Sequence, residues 1–373
     1  MQKTIKKRLT QLKNSSSNKN FDTLMLLKQE NRRYLSGFTG EDSRFEESAG
    51  ALFITDEKLI LATDSRFETQ AENEAPLYEI RCYEKGLVRE LPDILRQLKT
   101  KKLGFESRRM SYHQYIKIDE QLQKEKIAVD LVDADNMVEN LRVTKDPAEV
   151  ETIKKALDIA ESVFKDFIAN GLLPGMTEKE AAWAMEKGMR EAGAESLSFP
   201  TIVASGPNSA LPHAIPGDRR FQKGEPILFD WGVKIDGYCS DTSRTVVIGT
   251  PDERFKKIFT TLYDAQQKAV DAIRPGITGK EVDTIARSHI DKTEFKGKFS
   301  HGLGHGVGLA VHESPRLSKL SDTKLEQGMV VTVEPGIYIP GWGGLRLENM
   351  VLVRENDAEV LNSLDCRNFL IGE

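Results

Sequence analysis

The sequence predicts an α/β (α+β) protein of two domains, the second made of two copies of one unit. Three observations carry this expectation. The chain has 373 residues, more than a single hydrophobic core of about 250–300 residues organises. Its N-terminal part alternates short β-rich runs with helical patterns, which reads as an α/β layer. Its C-terminal part repeats a string of residues in the same order about a hundred positions apart.

Composition narrows the class further. Hydrophobic residues make up 39% and charged residues 30% of the chain, a globular balance that excludes a disordered polypeptide. No apolar run approaches the 18 or so residues of a membrane span. A net charge of −5 argues against nucleic-acid binding by bulk charge. Cys82, Cys239 and Cys366 are widely spaced and form no CxxC pair, so neither a disulfide framework nor a cysteine zinc site is expected. Such thiols fit a reducing cytoplasm. The first 20 residues carry Lys3, Lys6, Lys7, Arg8, Lys13 and Lys19 and no acid. They lack the apolar stretch of a secretory signal, while Ile5, Leu9 and Leu12 fall at helical spacing, so a short amphipathic leader helix is expected in 1–20.

From residue 21 the candidate strands are Leu24–Leu27, Ala51–Thr55, Leu59–Ala62, Tyr78–Cys82, Leu103–Glu106 and Val129–Val132. The candidate helices are Arg66–Glu74, Leu91–Leu98 and Tyr112–Lys124. Asp146-Pro147-Ala148-Glu149 then supplies an N-cap, a proline in the first turn and a glutamate three residues after the cap, a helix-start signal. Apolar residues from Ile153 to Ile168 follow at a 3.6-residue period and Gly171 ends the helix. The domain boundary is expected near Thr144, giving domains 1–143 and 144–373.

Within the second domain, Pro174-Gly175-Met176-Thr177 with Lys179-Glu180 reappears as Pro275-Gly276-Ile277-Thr278 with Lys280-Glu281. Thr177 with Glu180, and Thr278 with Glu281, each predict a capping box. Alone, this could be a recurring helix-cap idiom. The order that follows extends the match: His213-Ala-Ile-Pro216, Gly224 and Asp230 in the first copy, then His312-Glu-Ser-Pro315, Gly328 and Glu334 in the second. Each copy adds a second carboxylate, Asp241 and Glu348. Two similar halves about a pseudo-two-fold axis would bring these four acids and two histidines together.

Asp236-Gly237 is a preferred two-residue hairpin turn. With Ile235 then opposite Tyr238, Asp230 faces position 243 and Asp241 is its diagonal neighbour on the same face. Asp230 and Glu334 sit in the apolar runs Ile-Leu-Phe-Asp-Trp and Val-Val-Thr-Val-Glu, which argues against two solvated surface acids. Buried carboxylates need counter-charge, and nearby bases are few: Arg244 and Arg346. Two divalent cations would neutralise all four acids. The run His301-Gly-Leu-Gly-His305-Gly-Val-Gly308 offers a further ligand on glycine-rich backbone that a substrate or ion could approach. It satisfies neither nucleotide-loop pattern. Oxygen donors with one imidazole favour manganese, cobalt, zinc or iron over copper. No GxSxG elbow or suitably placed cysteine supplies a nucleophile.

These residues resemble the pita-bread metallopeptidases, specifically the branch of Xaa-Pro aminopeptidases and Xaa-Pro dipeptidases (prolidases). The family's dinuclear ligands match Asp230 in Asp-Trp-Gly, Asp241 in Gly-Tyr-Cys-Ser-Asp, His305 in Gly-His-Gly-Val-Gly, Glu334 in Glu-Pro-Gly-Ile-Tyr and Glu348 in Leu-Arg-Leu-Glu-Asn. Asn349 follows where the family often has an acid. His213 and His312 match histidines that contact the scissile peptide and the developing oxyanion. Tyr34-Leu-Ser-Gly-Phe38, Thr63-Asp-Ser-Arg-Phe67 and Gly104-Phe-Glu-Ser107 are similar to strings of the creatinase-like N-terminal domain.

The resemblance implies a creatinase-like α/β domain followed by a pita-bread catalytic domain, two divalent metal ions per subunit with manganese first in line, peptide substrates with proline second, and a homodimer. It implies an aminopeptidase releasing the residue ahead of proline, with Glu334 passing a proton from water to the leaving nitrogen. A dipeptidase restricted to Xaa-Pro and a metal-free peptide-binding pseudoenzyme are the alternatives. Arg346 stands either as a structural ion pair or as a substrate contact, and the role of His301 is open.

Overall fold

Residues 2–371, apart from 17–19, 43, 46, 368 and 369, are described by a computed structural model; Lys19 of the basic leader lies outside the described residues. The chain divides into two units, Met1–Leu141 and Arg142–Glu373.

In the first unit, helix α1 (Gln2–Ser16) forms where the leader was expected, and Ile5, Leu9 and Leu12 are its buried stripe. The elements β1 (Thr23–Leu26), α2 (Gln29–Ser36), β2 (Ala51–Ile54), β3 (Leu59–Thr63), α3 (Glu68–Glu74), β4 (Glu79–Cys82), α4 (Leu87–Leu98), β5 (Lys102–Phe105), α5 (Tyr112–Lys124) and β6 (Asp130–Asp133) follow. The strands form one sheet in the order β4-β3-β2-β1-β5-β6. Only β2 runs antiparallel to its neighbours; β1, β5 and β6 are mutually parallel, as are β3 and β4. The apolar faces of α4 and α5, through Leu91, Ile94, Leu95, Ile118 and Leu122, pack with Met25, Phe53, Ile60 and Leu103 of the sheet.

Two helices differ from expectation. Helix α4 starts four residues before Leu91 and carries Pro92 inside it; burial of its apolar face outweighs the one backbone bond the proline cannot donate. Helix α2 was not predicted, because its buried residues mix polar Asn31, Arg32 and Ser36 with Tyr34 and Leu35. Arg32 is fully enclosed and bonded to Asp42, Ser48 and the Gly40 carbonyl, and Asn31 is bonded to Glu106. Hydrophobic periodicity cannot report such a helix.

The short helix α6 (Glu139–Arg142) precedes α7 (Pro147–Asn170), which opens with the expected capping box: Asp146 accepts from the amides of Ala148 and Glu149. Then come α8 (Glu178–Glu191), β7 (Ser196–Leu197), β8 (Ile202–Ser205), β9 (Pro226–Trp231), β10 (Val233–Ile235), β11 (Tyr238–Cys239) and β12 (Thr242–Ile248). The second half repeats the plan with α9 (Glu253–Ala272), α10 (Gly279–Asp291), β13 (Gly304–Gly306), β14 (Glu313–Leu317), β15 (Val330–Val333), β16 (Gly336–Ile339), β17 (Gly343–Arg346) and β18 (Asn349–Val353), followed by β19 (Ala358–Val360) and β20 (Leu370–Ile371).

The duplication read from the sequence is a duplication of backbone geometry. Thr177 and Thr278 both build complete capping boxes, and the glycines before them share left-handed φ values of 83° and 91°. Each threonine also makes the same isolated antiparallel bridge, to Arg220 and to Lys324. Each half carries its own core. In the first, Trp231 stacks on Phe164 with ring centroids 4.2 Å apart and donates its indole N–H to the Ala160 carbonyl.

Candidate metal centre

The first pair of acids is placed by an antiparallel ladder. Asp236 and Gly237 both have positive φ, 46° and 75°, as the tight hairpin requires, and Ile235 pairs with Tyr238. Strand β9 then pairs with β12 so that Asp230 lies opposite Ser243, the register expected. The second pair follows the same plan. Val333 of β15 pairs with Asn349 of β18, and Glu334 and Glu348 are the next residue on each side. His305 comes from the middle of β13, where the glycines serve strand packing. A Cβ on Gly304 would lie 1.9 Å from the Thr332 carbonyl oxygen, and one on Gly306 2.2 Å from that of Ser314. Their first use is thus to let protein backbone approach, although Gly304 also borders the cleft.

Asp230, Asp241, His305, Glu334 and Glu348 all line one cleft of about 600 Å³, together with His213, His301, His312 and Arg346. Phe199, Pro200, Ile202, Ala214 and Ile215 give it an apolar side. Donor atoms of Asp241, His305 and Glu348 lie within 4.8 Å of one another, and all three residues are buried. His305 Nε2 is 3.6 Å from Asp241 Oδ2 and 3.4 Å from Glu334 Oε1. Its Nδ1 lies 3.1 Å from the Gly306 carbonyl oxygen, to which it donates. That contact puts the proton on Nδ1 and aims the Nε2 lone pair at two carboxylates, the arrangement of a metal-ligating imidazole.

The electrostatics point the same way. Burial, with the adjacent His312, pushes His305 down to about 3, so its imidazole is neutral. Burial, reinforced by the neighbouring acids, holds Asp241 and Glu348 well above the usual carboxylate range. Burial and the Asp230 charge push Glu334 up to about 8 against the opposing Arg346. Asp230 Oδ1 is buried with no hydrogen-bond partner among the described residues. Lone pairs converge here without enough protons or bases to satisfy them, so the residues fit divalent cations, whose charge would reverse these carboxyl preferences.

Arg346 is a buried cation of the site. Its guanidinium reaches Asp230 Oδ2 at 2.6 Å, the Tyr338 hydroxyl at 2.9 Å, the Pro212 carbonyl at 3.1 Å and Ser243 Oγ at 2.8 Å. Arg244 points elsewhere, to Asn349 Oδ1 and the carbonyls of Glu348 and Leu364. His301 bridges the Gly302 carbonyl and the Tyr338 hydroxyl. His312 packs edge-on against His305 with centroids 4.3 Å apart, and burial with Arg316 holds it below the ordinary histidine value. His213 borders the same cleft and is exposed.

Three supporting residues escaped the sequence reading. Ser243 Oγ donates to Glu348 Oε2 at 2.8 Å while accepting from Arg346. Thr332 Oγ1 accepts the His305 amide and reaches Glu334. Tyr338 links Arg346 to His301. The hairpin register named position 243, but nothing local gave its hydroxyl a task.

The chain matches the model of metallopeptidase family M24 over residues 151–355 and that of the creatinase/prolidase N-terminal domain over residues 8–144. It is 35% identical over 364 residues to an Xaa-Pro dipeptidase of Pyrococcus furiosus, spanning 97% of this chain and 99% of that one. Among solved structures, an Xaa-Pro dipeptidase from Bacillus anthracis superposes with a TM-score of 0.90 at 35% identity, covering 98% and 99% of the two chains. An X-Pro aminopeptidase from Thermotoga maritima gives 0.88 at 34%, covering 97% and 99%.

Proposed function

The chain belongs to metallopeptidase family M24, and from that premise we propose that it hydrolyses the peptide bond between an N-terminal residue and a following proline, using two divalent ions. The observation that carries this reading is the unprotonated Nε2 of His305 facing Asp241 and Glu334 at 3.6 and 3.4 Å, on a cleft with one apolar side. Asp230, Asp241, His305, Glu334 and Glu348 would hold the ions. When bound, such ions acidify water and polarise a carbonyl.

The chain's own side chains supply the remainder. Glu334, beside the cleft, accepts the proton of the attacking water and returns it to the leaving imino nitrogen. His312 and His213 donate to the oxyanion and orient the scissile amide; a neutral His312 retains one N–H for this. Arg346, committed to Asp230, Tyr338 and Ser243, fixes the ligand frame and closes one wall. The apolar side shelters the proline ring from water.

Two substrate lengths stand. The aminopeptidase reading expected from the sequence is supported by likeness to the T. maritima protein. The dipeptidase reading is supported at least as well, by likeness to the P. furiosus and B. anthracis proteins. Manganese suits four carboxylates and one imidazole. A homodimer in the cytoplasm, where the free thiols of Cys82, Cys239 and Cys366 would stay reduced, completes the proposal. Hydrolysis of Xaa-Pro beside Xaa-Pro-Yaa peptides, with and without chelator, tests it. Cleavage of the dipeptide alone selects the dipeptidase, cleavage of both selects the aminopeptidase, and activity indifferent to chelator overturns the metal reading.

A further inference from the structure

A second cleft, of about 630 Å³, lies within the first unit, inside the size range of small-molecule sites. Its lining combines one end of the six-stranded sheet with the start of α4 and one side of α5. Leu27 follows β1, Asp64 follows β3, Tyr83 follows β4 and Met110 lies beyond β5, while Ser48 precedes the antiparallel β2. These are the carboxyl ends of the parallel strands. The crossover from β3 to β4 and that from β5 to β6 run in opposite directions away from β2, which makes this end a topological switch point, where open α/β sheets bind ligands.

The charge of the lining names the ligand class. It holds six cationic side chains and three carboxylates, on a chain whose net charge is −5. Three of the cations are already matched, Arg66 by Asp64 at 2.9 Å, Lys117 by Glu120 at 2.8 Å and Arg109 by Asp42 at 2.9 Å, which leaves Lys85, Arg89 and Lys124. Lys85 and Arg89, which flank the start of α4, have no ion pair among the described residues. Gly86 caps that helix with φ 84° and no side-chain hydrogen bond, so no capping side chain claims the amides of its first turn, whose residues Leu87 and Val88 border the cleft. Tyr83 and Ile118, both buried, give an apolar floor. A phosphate ester suits this combination, since its two charges and three acceptor oxygens match unpaired cations and amides better than a single carboxylate does.

We propose that this cleft binds a small phosphorylated molecule, its phosphate held by Lys85, Arg89 and the first turn of α4 and its apolar part set against Tyr83 and Ile118. Calorimetric titration of the full-length, metal-loaded protein with phenyl phosphate tests it, with inorganic phosphate and phenol as partial probes. Phenyl phosphate should bind at least about tenfold more tightly than either fragment and weaken as salt is raised. Reversing the charge with Lys85→Glu and Arg89→Glu should weaken it by about tenfold or more while leaving Xaa-Pro hydrolysis unchanged, and Lys85→Gln alone should weaken it less. Asp241→Ala should leave it unaffected, which separates this site from chelation at the metal centre. No saturable binding below about 10 mM, or binding lost in Asp241→Ala and indifferent to Lys85 and Arg89, would overturn the proposal.

Discussion

Ser243 touches no candidate substrate position, yet Ser243→Ala should weaken metal binding. Its Oγ donates to Glu348 Oε2 at 2.8 Å and accepts from Arg346 Nε at 2.8 Å. All three residues are buried, so the lost hydroxyl is not replaced by bulk water. A hydrogen bond to a charged group contributes about 1.5–3 kcal/mol. Loss of an outer partner of a metal ligand costs about 10–100-fold in affinity, or about 1.4–2.8 kcal/mol, so the two estimates agree. Titration of manganese into chelator-stripped wild-type and variant protein should show that weakening, with kcat at saturating metal within a few-fold of wild type. An unchanged manganese affinity in a folded Ser243→Ala protein would refute the claim that this hydroxyl orients Glu348.

Gly304→Ala should lower Tm, because its Cβ would meet the Thr332 carbonyl at 1.9 Å. Overpacking of this kind costs about 1–3 kcal/mol, with about 2–4 °C lost for each kcal/mol in a unit of this size, and an unchanged Tm would contradict the packing role given to that glycine. Glu313 is buried beside Arg142 and Lys145. Burial alone would raise its pKa, but the two cations bring it below the usual 4.5, so its share of stability is present above that pH and is lost as pH falls through the lower folded value. Thermal unfolding of Glu313→Gln between pH 7 and 3 should therefore show about 3–5 kcal/mol less stability at neutral pH and a shallower loss on acidification; a parallel profile would contradict this. Tyr338→Phe, which removes the hydroxyl shared by Arg346 and His301, should cost about 0.5–3 kcal/mol of stability in a urea melt, and no loss would show that contact to be dispensable.

What the sequence made legible was whatever short-range chemistry decides. The Asp236-Gly237 turn determined the β9–β12 register, and with it the position opposite Asp230. Capping residues placed the starts of α7, α8 and α10. Carboxylates inside apolar strands marked themselves, since such positions are costly without a partner. Helix α2 stayed hidden because the partners of its buried Asn31 and Arg32, namely Asp42, Ser48 and Glu106, come from other segments of the chain. Ser243, Thr332 and Tyr338 stayed hidden for the same reason. A hydroxyl in a strand looks alike in sequence whether it faces water or a buried carboxylate, and only the folded chain brings Ser243 to Glu348. The strand order β4-β3-β2-β1-β5-β6, and the second cleft it creates, likewise depend on pairings that no local signal sets.

The proposed function depends on five residues from the two repeated halves holding two divalent ions. Anomalous scattering from crystals of the manganese-loaded protein, with elemental analysis of the same sample, counts and places those ions. Two ions per chain are expected, ligated by Asp230, Asp241, His305, Glu334 and Glu348 with His305 binding through Nε2, and occupancy should be lost in Asp241→Ala. Ions absent from this cleft, or bound there equally well after Asp241→Ala, would contradict it.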